Sequence, residues 1–337
     1  MQGFALFRLP YAQQCTWLSG EVSTVPSCAA LSGRCGFVMA PFAPTSEQPV
    51  LIIRPNTLTT ATDHMPDLPS LVLETLPAST LQDYRIDYHT DFALFHRHLS
   101  NGDFQKLVLS RSIDVKRTDD ATPTTLFRRA CDSYPRMFIA LVYTPVSGLW
   151  LTATPEILLA GSGSQWQTIA LAGTMPFAEQ VSWSDKNIQE QRYVATYISR
   201  QLERFTDNFM EAGPYTARAG HLAHLRSDFR FSLPDSSRIG DLLQALHPTP
   251  AVCGLPKEQA FCFLLQHEHH HRSYYSGFMG PLFVESRTSL FVTLRCMQLF
   301  HDGFRLHAGG GLLKDSVEDQ EWQETEAKLQ TMRNVLN

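Results

Sequence analysis

Three consecutive glycines, Gly309-Gly310-Gly311, followed closely by Glu321, Glu324 and Lys328, constrain this chain more than any other stretch. Consecutive glycines open backbone conformations closed to other residues and let a ligand touch the main chain. Their N–H groups can cradle an anion. The segment "RLHAGGGLLKDSVEDQ" reads as a strand end, a glycine turn and a polar loop. The segment "EWQETEAKLQTMRNVL" is rich in good helix formers. On a helix, Glu321, Glu324 and Lys328 share a face, and Leu329, Met332 and Val335 continue a partly apolar side. A plainer account exists. Glutamates favour helix starts, Glu324 and Lys328 make an ordinary i,i+4 pair, and glycine triplets are usually loops.

The 337 residues, 43% of them hydrophobic, suffice for a large core. A net charge of -5 gives no basic footprint for nucleic acid. The seven cysteines are scattered, with no Cys-x-x-Cys pair, which fits a reducing compartment. The N-terminus lacks a basic-then-apolar signal pattern, and no apolar run reaches membrane-spanning length. A cytoplasmic protein with no membrane partner is expected.

Residues 1–90 offer short strands such as "GFVMAPF" and "PVLIIRP" and no evident chemistry; 55–71 read as an exposed connection. The texture then changes. "DFALFHRHLSNGDFQ" reads as a helix stopping near Asn101-Gly102. "FQKLVLSRSIDVKR" reads as a strand placing Lys106 on a face with Val108 and Ser110. The alternative for Lys106 is an edge lysine with its head in water. Pro155-Glu156 interrupts an otherwise apolar stretch and suggests a bulge or edge. "SWSDKNIQEQRYVATYISRQLERFTD" is an amphipathic helix with Ile188, Val194, Ile198 and Leu202 on its apolar side; Glu190 by default is a solvated surface glutamate. His267 and His271 have helical metal spacing without the full His-Glu-x-x-His pattern, and a dedicated metal site is not expected there. Adjacent strand runs joined by hairpins indicate a large α+β protein.

Several stretches, in order, resemble the chorismate-utilising enzymes: "KLVLSR", "TATPEILL", "IALAGT", "DKNIQE", "HPTPAVCGLPK", "SYYSG", "TLRC", "HAGGG" and "EWQETEAKL". The resemblance spans roughly 95–337. It implies one chorismate-binding domain over 1–337, α+β, with two packed antiparallel sheets flanked by helices and a cleft between them. Residues 1–90 would be a divergent part completing the sheets. Carried over residue by residue, the resemblance implies Lys106 as general base toward water and Glu156 as general acid. It implies Glu190 and Glu324 as Mg2+ ligands, with Glu321 beside them acting through a metal-bound water. Arg295 and the Gly309, Gly310 and Gly311 backbone would hold substrate carboxylate. Thr174, Tyr275 and Lys328 would line the same pocket, with His224 and His247 near the substrate ring.

Elementary chemistry suits those roles. A dianionic substrate needs cations and backbone donors. Magnesium prefers oxygen ligands and keeps some water. A lysine base must be neutral, and a carboxylic acid donor must be protonated. Within the family, Ala172 stands where aminodeoxychorismate synthases carry a nucleophilic lysine. "HPTPAVCG" resembles the isochorismate and salicylate branch. The expectation is an isochorismate synthase acting on chorismate for menaquinone biosynthesis; the alternatives are a salicylate synthase, a siderophore-pathway isochorismate synthase, an anthranilate synthase component I or a non-catalytic chorismate-binding homologue. It would be a monomer with no glutaminase subunit. Asn187 and Gln191 depart from the family pattern, standing where an acid and a histidine are common.

Overall fold

The computed structural model describes residues 1–61, 68, 71, 73–77, 84–178, 182–233 and 235–337. Its first strands are β1 (Gln2–Arg8), β2 (Cys15–Val25), β3 (Gly36–Ala40), β4 (Val50–Ala61), β5 (Lys106–Lys116), β6 (Phe138–Thr144), β7 (Gly148–Thr154) and β8 (Ile157–Ser162). Then come β9 (Gln165–Pro176), β10 (Phe209–Ala219), β11 (Leu222–Ser232), β12 (Gly254–Leu255), β13 (Phe278–Leu282), β14 (Arg287–Val292), β15 (Cys296–Leu299) and β16 (Gly303–Leu312). The helices are α1 (Tyr84–Ser100), α2 (Pro123–Ser133), α3 (Asp185–Leu202), α4 (Ile239–Leu246), α5 (Lys257–His267) and α6 (Glu318–Leu336).

The strands hydrogen-bond in one order, β10-β11-β9-β8-β14-β13-β3-β4-β2-β1-β6-β7-β15-β16-β5-β12. So long a sheet cannot stay flat. Five strands separate β14 from β6, which would place them roughly 29 Å apart in a flat sheet. Instead Phe138 of β6 stacks on Phe291 of β14 with ring centroids 4.2 Å apart. The ladder therefore folds over into two facing layers. Phe7, Phe37, Phe138, Trp150 and Phe291 fill the space between them. The expected pair of sheets is thus one continuous ladder bent on itself, and β1–β4 belong to it.

Helices cover the outer faces. Val194, Ile198 and Leu202 of α3 pack with α4 on one side. Leu329, Met332 and Val335 of α6 pack with α2 on another. Each such buried side chain contributes about 1.5–3 kcal/mol. Gly102, at φ 80°, lies just past α1, where its stop was expected, and the Thr122 side chain caps α2. Ile188 is an exception to the expected apolar side of α3: it is 48% exposed, while Glu190 and Gln191 are buried. Residues 55–61, read as connection, continue β4, and much of the remaining 62–71 lies outside the described residues. Among the described residues, no helix is long and apolar enough to cross a membrane.

Candidate active site

The glycine triplet is not a turn. Gly309, Gly310 and Gly311 lie inside β16, opposite Ser110, Leu109 and Val108 of β5. A Cβ on Gly311 would meet Glu190 Oε1 at 2.1 Å and Lys106 Cε at 2.9 Å. A Cβ on Gly309 would meet the Tyr275 hydroxyl at 2.8 Å. The glycines serve close approach of side chains rather than chain reversal. Strand alternation also fixes their amides. Ser110 N–H donates outward to Glu268 Oε1, and Val108 N–H donates outward to the Cys253 carbonyl. Their partners Gly309 and Gly311 are therefore non-hydrogen-bonded pairs, with N–H and C=O turned away from β5. The Gly309 carbonyl accordingly accepts from Lys328 Nζ at 2.8 Å. On that side β15 pairs only as far as His307. The Gly309 and Gly311 amides thus face the cleft, whereas Gly310, expected to join them, pairs with Leu109 and turns its amide to β5.

Lys106 begins β5 and is fully buried, so the edge-lysine alternative does not hold. Its Nζ lies 2.9 Å from Glu190 Oε1, in the space that Gly311 leaves free. Glu190 is likewise not the solvated residue expected by default, because its side of α3 faces the sheet. Burial pushes the Glu190 carboxyl upward, but Lys106, then Lys186 and Lys328, hold it below the usual carboxylate range. On α6, Glu321 pairs with Lys186, and Glu324 accepts from Lys328 at 2.8 Å. A Cβ at Gly310 would lie 3.6 Å from Glu324 Oε1 and 3.7 Å from Glu321 Oε2. Three carboxylates therefore surround the Gly310–Gly311 backbone, each with a lysine.

Among the described residues, no three acids, histidines or cysteines stand close enough to grip a metal ion in this arrangement. The donor set nevertheless fits a hard cation, being all oxygen. Glu321 Oε2 is buried with no hydrogen-bond partner, a position that favours a cation or a proton. Burial, with Glu324 adding to it, outweighs Lys186 and raises the Glu321 carboxyl.

The other end of the cleft differs. Glu156 sits in the link between β7 and β8, where Pro155 breaks the run. Its backbone holds it firmly: the carbonyl accepts from Val292 N–H at 2.9 Å, and the N–H donates to Thr154 Oγ1 at 3.3 Å. Burial lifts its carboxyl to about 7, against the pull of Arg295, Lys106 and Lys328. Arg295 is 5% exposed and adopts φ 43°, a left-handed conformation that is uncommon outside glycine. Its Nε and Nη1 have no partner, while Nη2 donates to His224 Nε2 at 2.5 Å. Burial lowers Arg295 to about 10, so it remains a cation. Burial and then Arg295 push the His224 imidazole well down, so it is neutral. Its Nδ1–H donates to the Gly173 carbonyl at 2.9 Å, with Thr174 Oγ1 at 3.3 Å.

A partly open cleft lies between these ends. Its lining brings together Glu156, Thr174, Glu190, His224, Tyr275, Arg295, Gly309, Gly311 and Lys328. Ala172 lines it too, with a methyl group where an amine would reach in.

His247 is not brought there. It follows α4, its Nε2 donates to the Pro41 carbonyl at 3.0 Å, and its ring packs edge-on against Phe278. Burial lowers it to about 4, a neutral core histidine. His267 and His271 do not share a helix, because α5 ends at His267. His269 pairs with Asp91 instead. Gln191 is a clasp: its amide joins Ala172 N–H, the Ala170 carbonyl and Ser227. Two residues were not anticipated from the sequence: Lys186, which pairs with Glu321, and His307, which lines the cleft. Lys186 was visible in "DKNIQE" but had no assigned partner. His307 lies two residues before Gly309, on the same strand face, and strand alternation could have found it.

A family model described as "Chorismate binding enzyme" matches residues 62–337. The isochorismate synthase DhbC of Bacillus subtilis is 29% identical over 77% of this chain and 69% of its own length. The isochorismate synthase EntC of Escherichia coli is 30% identical over 68% of this chain and 62% of its own length. The matched segment thus spans roughly two thirds of these relatives. In three dimensions, the menaquinone-specific isochorismate synthase MenF of Escherichia coli superposes with a TM-score of 0.83 at 21% identity, covering 99% of this chain and 89% of that one. That last likeness concerns the fold.

Proposed function

Because the chain belongs to the chorismate binding enzymes, we propose that it is an isomerase converting chorismate to isochorismate. One observation carries the reading. A carboxylic acid kept protonated near neutrality, Glu156, shares a cleft with a guanidinium that has two unpartnered donors, and Lys106 lies buried at the far end.

The reaction adds water at C2 and expels the C4 hydroxyl. Lys106, in its neutral form, takes a proton from water as the oxygen bonds to C2. The ring double bonds shift and the C4–O bond breaks. Glu156 gives its proton to the departing hydroxyl, so one water enters and one leaves. Arg295 and the amides of Gly309 and Gly311 bind substrate carboxylate, and Thr174, Tyr275 and Lys328 complete the wall. Neutral His224 orients Arg295. Glu190 and Glu324, with Glu321 acting through water, would hold Mg2+, which when bound supplies positive charge for a carboxylate of the substrate. Ala172 leaves space for water where an amine would divert the chemistry.

Incubation of purified protein with chorismate and Mg2+, with and without ammonia, tests this by chromatography of the products. Isochorismate alone is expected. Salicylate with pyruvate, or an aminated product formed only with ammonia, would overturn it. The finer proposal is that the product feeds menaquinone biosynthesis rather than a siderophore or salicylate. The chain should then restore menaquinone to a bacterium lacking its menaquinone-specific isochorismate synthase; failure while isochorismate accumulates would reject that assignment.

A further inference from the structure

His307 lines the cleft and is 2% exposed. Its ring lies between Tyr275, at 5.4 Å and 14°, and Trp150, at 5.3 Å and 22°. Its Nδ1 is 3.2 Å from Nε2 of His270. Its Nε2 is buried with no hydrogen-bond partner. Burial, aided by Arg305, brings His307 down to about 3, and burial followed by His307 and Arg272 brings His270 well below its ordinary value. Both rings are therefore neutral, and a single proton lies between them.

A histidine kept only for packing would be expected to satisfy both nitrogens, or to be replaced by a phenyl ring in such a stack. A buried N–H left alone costs about 1–3 kcal/mol. The unmatched atom belongs to a residue of the wall that, on the reading above, receives a dicarboxylate.

We propose that His307 is a substrate-contacting residue: His270 Nε2–H donates to His307 Nδ1, which leaves the other proton on His307 Nε2 to donate to an oxygen of the substrate. His270 is then a positioning residue that selects the tautomer. The opposite tautomer would present a lone pair to an anionic ligand and repel it. The inference rests on the proposed function but is separable from it.

His307→Phe keeps the flat ring between Tyr275 and Trp150 and removes the donor. KM for chorismate should rise about tenfold with kcat nearly unchanged, as for one lost hydrogen bond to a charged group. The thermal midpoint should hold or rise, because a buried unpartnered polar atom disappears. His270→Phe should raise KM less, and should add nothing in the His307→Phe background. His307→Gln, which retains a donor, should lie closer to the wild type than His307→Phe. An unchanged KM in His307→Phe, or a drop in the midpoint as the sole effect, would overturn the proposal. Should that variant fail to fold, the KM of His270→Phe decides: no change overturns it. A wild-type protein that makes no isochorismate rejects the functional reading. A wild-type protein that makes it while KM ignores both histidines rejects this inference alone.

Discussion

The two ends of the cleft manage charge in opposite ways. Around Gly310–Gly311, three glutamates each hold a lysine: Glu190 with Lys106, Glu321 with Lys186, and Glu324 with Lys328. Around Glu156 and Arg295, charge is left uncompensated or removed. Glu156 is held near neutrality by burial, His224 is neutral, and Arg295 has two donors without partners. Buried charge persists only when paired or when a ligand completes it. On the proposed function, the paired end would hold a cation. The unpaired end is ready for an anion. One cleft is thus polarised for a ligand carrying carboxylates.

The largest break in that comparison would come from Lys106→Met. It removes the proposed base and strands Glu190, and kcat should fall about 10³-fold; isochorismate formation measures it, and an unchanged rate would exclude Lys106 from the chemistry. Gly311→Ala attacks the same end by crowding alone, since its Cβ falls 2.1 Å from Glu190 Oε1. Activity should drop about 10²-fold and unfolding stability by about 3 kcal/mol, read by denaturant titration. At the other end, Arg295→Gln should raise KM about 10²-fold with a smaller change in kcat, as one charge-assisted contact is lost.

The pH profile sharpens the contrast. The Glu156 carboxyl is raised to about 7, so its protonated form prevails below that value and is lost above it. A general acid must be protonated, so kcat/KM should fall about tenfold per unit above pH 7. Stability carries the same sign: the folded state binds this proton more tightly than the unfolded state, so the contribution present at low pH declines as pH rises through 7. Glu156→Gln should remove this limb from the stability profile, as seen by thermal melts across pH. The smallest effect is expected from Gly310→Ala. Its Cβ meets atoms no nearer than 3.6 Å, and activity should stay within about twofold of wild type.

Much of this arrangement was legible in the residues. Composition and periodicity identified α6 and its buried Leu329, Met332 and Val335, the stop of α1 at Gly102 and the strand carrying Lys106. The order of motifs indicated which residues to gather. What escaped had a common cause. The glycine triplet read as a turn because its reason lies in other chains of contact: the Tyr275 hydroxyl, Glu190 and Lys106 approach it from distant segments. Glu190 looked solvated because charge usually means surface, and only a lysine arriving from β5 makes its burial tolerable. His247 appeared to belong with the ring-contacting histidines, yet the chain turns it toward Pro41.

Residues read along the chain were enough to give the elements, the α+β class, the small side chain at Ala172 and the supply of acids and bases. Their local physics is set by neighbours along the chain. Only the folded chain sets which lysine neutralises which glutamate, that the Glu156 carboxyl is raised to about 7, and that Arg295 Nε and Nη1 and His307 Nε2 have no partner. Those properties depend on desolvation and on charges from remote segments, and they came into being only when the long sheet folded over on itself.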